Sequence, residues 1–150
     1  MAKCDIYTAD LDGMWELSFD DISEAALSES IPILEGTMRS AAAASVNHEG
    51  DSAMVNSIKG SKPKKSASTD CWIANVGPRG YSTVTKRTGG KHSKQTYKVS
   101  NALKAIWKEY GIPGHQSAQP FMDKATNAAR GRVEKIIEDA FNKEIEKYEL

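Results

Sequence analysis

The segment Lys86 to Ser93 comes closest to a phosphate-binding motif. In that motif a glycine-rich loop surrounds the phosphates with backbone amides, and a lysine followed by Ser or Thr completes the site. Gly90 and Lys91 fit the pattern, but Thr85 stands where the first glycine is required and His92 stands where Ser or Thr is required. The segment therefore predicts a basic hairpin tip and not a nucleotide site.

The residues that bind metals in other proteins are scattered along this chain. A structural zinc site needs four Cys or His ligands at recognisable spacings, and neither cysteine has a CxxC or CxH partner among Cys4, Cys71, His48, His92 and His115. Three carboxylates near the N-terminus resemble part of a calcium loop, but the following glycine is misplaced and the oxygen ligands are too few; they are Asp10, Asp12 and Glu16. We therefore predict no bound metal and no cofactor.

No acidic or nucleophilic residue has the sequence context of a catalytic group. The nucleophile-elbow motif G-x-S-x-G is absent. Glu109 lies in a basic, apolar stretch, which predicts a partly buried ion pair with a lysine in preference to a tuned general acid or base. We expect the chain to lack enzymatic activity.

Charge is distributed very unevenly, although the 20 acidic and 20 basic side chains cancel. Residues 1–58 have a net charge of −9, residues 59–108 have +11, and residues 109–150 have −2. This asymmetry indicates pairing within the chain, pairing between copies, or contact with a polyanion.

Aromatic residues interleave with the cations of the basic segment 59–108, a pattern that can bind nucleic acid by stacking and phosphate contact. They are Trp72, Tyr81, Tyr97 and Trp107. Because Trp72 and Trp107 lie in apolar runs, we expect both in the core. The remaining charges favour a solvated or subunit-facing surface over a DNA-binding one.

Two long helices are predicted to position these residues. Apolar positions from Ile22 to Val46 follow a helical period after an acidic cap at Asp20 or Asp21, and Pro32 predicts a kink or two abutting helices. A second apolar stripe follows Pro120, whose missing N–H suits the first helical position. At about 28 residues this helix would be roughly 42 Å long.

Shorter elements lie between and before the two helices. Residues 4–19 alternate around an Asp-Gly turn and predict a hairpin. Residues 51–58 predict a short helix, 60–69 a lysine-rich loop, and 71–76, 81–85 and 96–99 strands. The apolar spacing over 101–110 is helical, although Ile106-Trp107 is also compatible with the start of a strand.

The composition fits one soluble domain. The chain has 150 residues, of which 39% are hydrophobic and 27% charged, enough for a single core. We divide the domain into a hairpin (1–19), a helical part (20–59), a β part with a basic loop (60–99) and a second helical part (100–150). No apolar run has the ~20 residues that span a membrane, the N-terminus lacks an apolar signal core, and two cysteines suit a reducing cytoplasm.

Two segments resemble a siphophage family of morphogenesis proteins, the minor tail protein Z-like tail components. The stretch from Gly50 to Lys59, with its Ser57-Ile58 pair, is similar to the family's "tG-x-L-x-x-S-I" segment. Trp107 to Gly111, followed by 118–125, is similar to the signature "hEyG…pa-q-PF-h-x-x-A" before the C-terminal helix. The matching residues are Gly50, Ser57, Ile58, Glu109, Tyr110, Gly111, Pro120, Phe121 and Ala125.

The resemblance covers roughly residues 20–148 and implies an α+β fold. A small antiparallel sheet would pack against a long N-terminal helix, kinked near Pro32, and a long C-terminal helix. It also implies a homo-oligomeric ring, a hexamer in the family, that joins head to tail or completes the tail of the virion after assembly in the bacterial cytoplasm. The expected partners are connector or neck proteins and tail-tube or terminator proteins, with no membrane.

The chain departs from the family signature in three places. The residues from Asn47 to Ser52 stand where the family commonly has a proline and an aspartate-threonine pair, and the N-terminal hairpin and the basic insertion at 79–98 are additional to the signature. We expect the basic loop to project toward a neighbouring ring or into the channel through which DNA passes; its cations are Arg79, Lys86, Arg87, Lys91 and Lys94. The alternative is a nucleic-acid-binding module that uses segment 59–108. Phe121 is expected either to anchor the final helix in the core or, if exposed, to contact a partner.

Overall fold

The computed structural model describes residues 19–46, 51–87 and 94–147. The helices are α1 (Phe19–Ala44), α2 (Asp51–Asn56), α3 (Asn101–Tyr110) and α4 (Phe121–Ile145), and the strands are β1 (Ile58–Gly60), β2 (Lys64–Lys65), β3 (Trp72–Ile73), β4 (Val76–Pro78), β5 (Tyr81–Arg87) and β6 (Lys94–Ser100). The hairpin predicted over 4–19 lies outside the described residues except for Phe19, which begins α1.

The two long helices pack side by side in antiparallel orientation. The ring centroids of Phe19 and Phe141 are 6.3 Å apart at one end, and Arg132 Nη2 donates to Thr37 Oγ1 at 3.0 Å further along. Small side chains are buried on both helices and allow the backbones to approach closely; they are Ala26 and Ala42 on α1 and Ala125 and Ala129 on α4. The α+β class and the two long packed helices confirm the predicted fold.

Helix α1 continues as one helix through Pro32, so two abutting helices do not form. Proline lacks the N–H that would bond to the preceding turn. Apolar residues are buried on both sides of it, Ile22 before and Met38 after, and tertiary packing of this kind supplies most of a helix's stability. The loss of one hydrogen bond therefore does not end the helix.

Three separate two-stranded antiparallel ladders replace the single small sheet that was predicted: β1 with β4, β2 with β3, and β5 with β6. The longest is the β5–β6 hairpin, whose register runs from Tyr81 opposite Ser100 to Arg87 opposite Lys94. It confirms the predicted strands 81–85 and 96–99 and extends both. The tip, 88–93, lies outside the described residues.

Strand β1 lies directly against α1. The Ile58 carbonyl accepts from Arg39 Nε at 3.0 Å and from Nη2 at 2.6 Å, and the Gly60 amide donates to the Glu35 carboxylate. A side chain at position 60 would place its Cβ 2.2 Å from Ile31 Cγ2. Glycine is therefore required where this strand crosses the helix.

The segment between the long helices differs in detail from the sequence prediction. The helical part predicted over 20–59 ends at Asn56, because Ile58 begins β1. Lys64–Lys65 forms a strand inside the predicted loop, and the predicted strand 71–76 is divided into β3 and β4. Strands of two or three residues are too short to show the alternation on which such a prediction depends.

The core lies where α1, α2, α3 and α4 meet. The sulfur-containing and aliphatic side chains of Met54 and Ile58 are completely buried, and Phe121 is 1% exposed. The full cluster comprises Met38, Ala42, Met54, Val55, Ile58, Ala105, Phe121 and Ala125. Helix α4 has 25 residues, about 38 Å, and its buried residues lie in its first third.

Candidate functional site

Helix α3 buries polar and charged side chains and exposes large apolar ones, the reverse of an ordinary surface helix. Its buried residues are Asn101, Lys104, Ala105, Lys108 and Glu109. A surface helix normally turns its apolar stripe to the core and its charges to water, and lysine and glutamate are almost never fully buried unless paired. Each buried polar residue of α3 must therefore have a partner.

The first turn of α3 is tied to the β5–β6 hairpin. Asn101 Nδ2 donates to the Arg79 carbonyl at 2.8 Å, and Asn101 Oδ1 accepts from Ser82 Oγ at 2.7 Å. Lys104 Nζ donates to the same Ser82 hydroxyl at 2.6 Å. These bonds fix the start of α3 against the base of the hairpin.

The last turn of α3 is held by a buried ion pair. Lys108 Nζ lies 2.8 Å from Asp51 Oδ2, with side-chain exposures of 3% and 11%. The same ammonium donates to the Ser45 carbonyl at the end of α1 and lies 3.5 Å from Gln119 Oε1. One lysine thus connects the end of α1, the start of α2 and the loop before α4.

The sequence predicted an ion pair between Glu109 and a lysine, but Glu109 instead binds the N-terminus of α4. Its carboxylate accepts from the amides of Met122 at 2.8 Å and Asp123 at 3.2 Å. The first amides of a helix lack partners within the helix and carry partial positive charge. The carboxylate of Glu109 therefore caps α4 from 13 and 14 residues away along the chain, a contact that local spacing could not show.

The loop between α3 and α4 depends on Gly111. Its φ is 78°, and an added Cβ would lie 2.7 Å from the Gln116 carbonyl oxygen and 2.8 Å from the Ala118 nitrogen. The loop closes on itself through Ile112, whose amide donates to the Gln116 carbonyl at 2.8 Å. Helix α4 begins at Phe121, one position later than predicted, because Pro120 is the residue that precedes the helix. Phe121 is buried in the core.

With its charges turned inward, α3 exposes an apolar surface. Leu103, Ile106, Trp107 and Tyr110 are 39%, 49%, 36% and 78% exposed. They follow the spacing i, i+3, i+4, i+7 and therefore share one side of the helix, which we call the α3 outer face. Ala102 is also exposed, so no charged residue of α3 faces solvent.

The prediction that Trp107 belongs to the core is therefore wrong. Trp72 is half-buried and also lies outside the core cluster; it donates its indole N–H to Asp20 at 2.9 Å. The spacing of Leu103, Ile106, Trp107 and Tyr110 correctly predicted a helix. It could not indicate which side of the helix faces the protein. The available signal was that Lys104, Lys108 and Glu109 share one side, but buried lysines are too rare for that pattern to outweigh an apolar stripe.

The other residues of the family resemblance are structural where they are described. Ser57 donates its hydroxyl to the Met54 carbonyl at 2.7 Å, and Ile58 and Ala125 are buried. Tyr110 is the exception, since it is the most exposed member of the α3 outer face. Gly50 lies outside the described residues.

The predicted basic loop is described only in part. Arg79 is exposed just before β5. Lys86, Arg87 and Lys94 occupy the far ends of β5 and β6, and Lys91 lies outside the described residues. Some cations of segment 59–108 pair with acidic residues of the first third, as Lys108 does with Asp51 and Lys65 with Asp20 at 2.7 Å.

The Asp20–Lys65 pair is exposed and perturbs both ionisations. Hydrogen bonds from Lys65 and then from Trp72 hold the pKa of Asp20 below its ordinary value. The hydrogen bond to Asp20, followed by that to Asp70, raises the pKa of Lys65. The pair ties β2 and β3 to the first turn of α1 and leaves each group in its charged form near neutrality.

The described residues offer no arrangement that suggests metal chemistry. Within 19–46, 51–87 and 94–147, no group of three or more His, Cys, Asp or Glu side chains is placed to hold an ion. Cys71 is exposed. Among these same residues, none of the helices combines the length and hydrophobicity needed to cross a bilayer.

No protein-family model, curated protein or solved structure matches this chain. The features of the structure that bear on function are the α3 outer face and the joint that orients it, which consists of the contacts that Lys108 and Glu109 make with α1, α2 and α4.

Proposed function

We propose that this chain is a structural subunit of bacteriophage assembly, which forms a ring at the head–tail interface or at the end of the tail and carries out no chemical reaction. The observation that supports this proposal is the α3 outer face. Large apolar side chains grouped on one exposed side of a helix are typical of a site of contact with another macromolecule. Tryptophan and tyrosine, both present here, are the residues that most often dominate binding energy at protein interfaces.

The family resemblance supports the same proposal from a different direction. Glu109, Gly111 and Phe121 meet at the joint between α3 and α4. Each has a structural task there: an amide cap, a left-handed turn and a core anchor. Shared residues of this kind suit a protein whose role depends on holding a surface in place.

A ring of identical subunits needs two complementary surfaces on every copy. The net charges of −9 in residues 1–58 and +11 in residues 59–108 supply opposite signs. The hexameric stoichiometry, the docking on connector or tail-tube proteins and the location in the virion follow from the resemblance. In this arrangement the β5–β6 hairpin extends from the subunit toward a neighbouring ring or the DNA channel.

The second candidate is a nucleic-acid-binding module that uses segment 59–108. Arg79 and Lys98 are exposed at the base of the hairpin and favour it. Against it, Lys65, Lys104 and Lys108 all bind partners within the chain. No charged side chain of α3 itself faces solvent, so its exposed aromatic residues are not interleaved with cations in the way that stacking on nucleic acid requires. Protein contact is the better account.

If the proposal is right, a bacteriophage genome carries the gene for this chain. The test is to delete that gene from the phage. We expect separate DNA-filled heads and separate tails by electron microscopy, and recovery of joined particles when the wild-type chain is supplied from a plasmid. Mass spectrometry of purified virions should detect the chain. Normal infectious particles formed without it would refute the proposal.

The same complementation assay separates protein contact from DNA contact. A variant with glutamine at Lys86, Arg87, Lys91 and Lys94 removes the charge of the hairpin tip while leaving the α3 outer face intact. If it restores joined, DNA-filled particles as well as the wild type does, the hairpin does not act on DNA. If heads join but lose their DNA, the hairpin has the channel role that we propose for it.

A further inference from the structure

We infer that the α3 outer face binds a second copy of this chain, specifically the end of the helix pair formed by the start of α1 and the end of α4. This inference rests on the proposed function as an assembly subunit, and it names the partner and the contact. Two exposed apolar surfaces of one chain, with opposite electrostatic surroundings, support it.

The second apolar surface lies at the far end of the long helices. Phe19 is 58% exposed and Ile145 is 44% exposed, and Phe141 packs its ring against Phe19. We call this surface, together with its flanking charges, the acidic end. As on the α3 outer face, large apolar side chains remain in contact with water.

The two surfaces occupy opposite ends of the molecule. Lys108 and Glu109 fasten α3 to the C-terminal end of α1 and the N-terminal end of α4, whereas the acidic end comprises the opposite termini of both helices. The 26 residues from Phe19 to Ala44 correspond to about 39 Å. One copy therefore cannot satisfy its own α3 outer face with its own acidic end.

The charges around the two surfaces are complementary. The acidic end carries seven carboxylates and two lysines in 19–24 and 138–147; the carboxylates are Asp20, Asp21, Glu24, Glu138, Asp139, Glu144 and Glu146. Lys65 from β2 adds one cation there by pairing with Asp20. By contrast, residues 71–108, which include the β5–β6 hairpin and all but the last two residues of α3, contain no acidic residue. Glu109 of α3 is buried, and Arg79 and Lys98 are exposed at the base of the hairpin beside the helix. Opposite fields of this kind steer association and set its orientation.

The contact is therefore head to tail and not symmetric. Two α3 outer faces would bring together two basic surroundings, which repel, whereas an α3 outer face and an acidic end attract. A head-to-tail contact leaves one free surface of each type, so it propagates until a ring closes or a filament forms. An apolar centre containing Trp107 and Tyr110, within a rim of opposite charges, is the usual anatomy of a specific protein interface.

The test uses two single variants of the full chain, Ile106→Glu on the α3 outer face and Ile145→Glu on the acidic end. Both residues are exposed to nearly half of their area, so the fold should be kept, as checked by circular dichroism. Asn127→Glu, at an exposed position in the first part of α4, adds the same charge without removing an apolar side chain. Sedimentation velocity and native mass spectrometry over a wide range of concentration give the mass.

We expect the wild type and Asn127→Glu to form concentration-dependent oligomers, and each isoleucine variant to lose about 10-fold or more in association constant. Mixing the two isoleucine variants is the decisive measurement. The Ile145→Glu copy retains an intact α3 outer face and the Ile106→Glu copy retains an intact acidic end, so the mixture should give a one-to-one dimer that cannot grow. A wild type that stays monomeric, a mixture that stays monomeric, or an Ile145→Glu variant that assembles normally would each overturn the inference.

The inference and the proposed function fail in different ways. If the gene deletion leaves heads and tails unjoined but the wild type remains monomeric, the function stands and the α3 outer face binds another virion protein. If head-to-tail dimers form in the mixture but the deletion has no effect on particles, the contact stands and the phage function is refuted.

Discussion

Replacement of Lys108 by methionine tests whether the buried ion pair holds α3 in its inverted orientation. Methionine keeps most of the volume of the lysine stem and removes only the ammonium group. In the structure that group lies 2.8 Å from Asp51 Oδ2 and donates to the Ser45 carbonyl, and the lysine side chain as a whole is 3% exposed. The variant therefore leaves a carboxylate that is 11% exposed without its counter-ion and a carbonyl without its donor.

The expected cost follows from these contacts. At 2.8 Å the Coulomb attraction is about 6 kcal/mol with an effective dielectric constant of ~20, and the desolvation of two ions offsets most of it. Removing Lys108 takes from Asp51 the counter-ion that offsets the cost of its desolvation. Breaking a buried pair in this way costs about 3–5 kcal/mol, a large part of the total stability of a domain of this size.

A double-mutant cycle with Asp51→Asn isolates the pair from the other contacts of Lys108. The free energy of unfolding is measured for the four chains by urea denaturation, followed by far-ultraviolet circular dichroism at one fixed protein concentration. We expect Lys108→Met to lose about 3–5 kcal/mol and the double variant to lose less than the sum of the single variants, with a coupling of about 1–3 kcal/mol.

Two results would contradict this account. A loss below about 1 kcal/mol for Lys108→Met would show that solvent reaches Asp51, as at a surface pair. Strict additivity of the two single variants would show that Lys108 and Asp51 do not interact. In either case another contact holds α3 in place.

Three further predictions concern single residues, with urea denaturation as the measurement. Phe121→Ala should lose about 3–5 kcal/mol because the side chain is 1% exposed in the core, and an unchanged stability would instead place it on the surface. Gly111→Ala should destabilise more than Gly114→Ala, since both have positive φ but only the Cβ at 111 meets backbone atoms, 2.7 Å from the Gln116 carbonyl; equal losses would mean that the loop adjusts. Asp20 has a lowered pKa because of hydrogen bonds from a lysine and a tryptophan, so its contribution is present above its ordinary pKa of 3.8 and is lost as the pH falls through the lower folded value. Asp20→Asn should therefore lose less stability than the wild type between neutral and strongly acidic pH, and parallel pH profiles would contradict the pair.

Long periodic segments were predictable from the sequence. The apolar stripes that define α1 and α4, and the alternating stretches that form β5 and β6, extend over enough residues for their period to be clear. The ends were less accurate, as with Pro120, which precedes α4 instead of opening it. The division of the β part into three ladders was not predictable, because β1 to β4 each have two or three residues.

The candidate site was only half predictable, for a physical reason. Local spacing shows that Leu103, Ile106, Trp107 and Tyr110 share one side of a helix, but the choice of which side is buried depends on residues far along the chain. The carboxylate of Asp51 and the free amides at the start of α4 make it favourable to bury Lys108 and Glu109. Without those distant partners the same helix would turn its apolar side inward.

The joint and the exposed surface are two consequences of one arrangement. Lys108 and Glu109 are adjacent, so their side chains leave α3 about 100° apart, and burying both fixes the rotation of the helix about its axis. The side that remains outward is then the α3 outer face. Variants at Lys108 should therefore alter stability and the orientation of α3 together, whereas Ile106→Glu should alter association alone. If Ile106→Glu unfolded the chain as readily as Lys108→Met, the α3 outer face would be part of the core, and both the orientation of α3 and the contact inferred from it would be wrong.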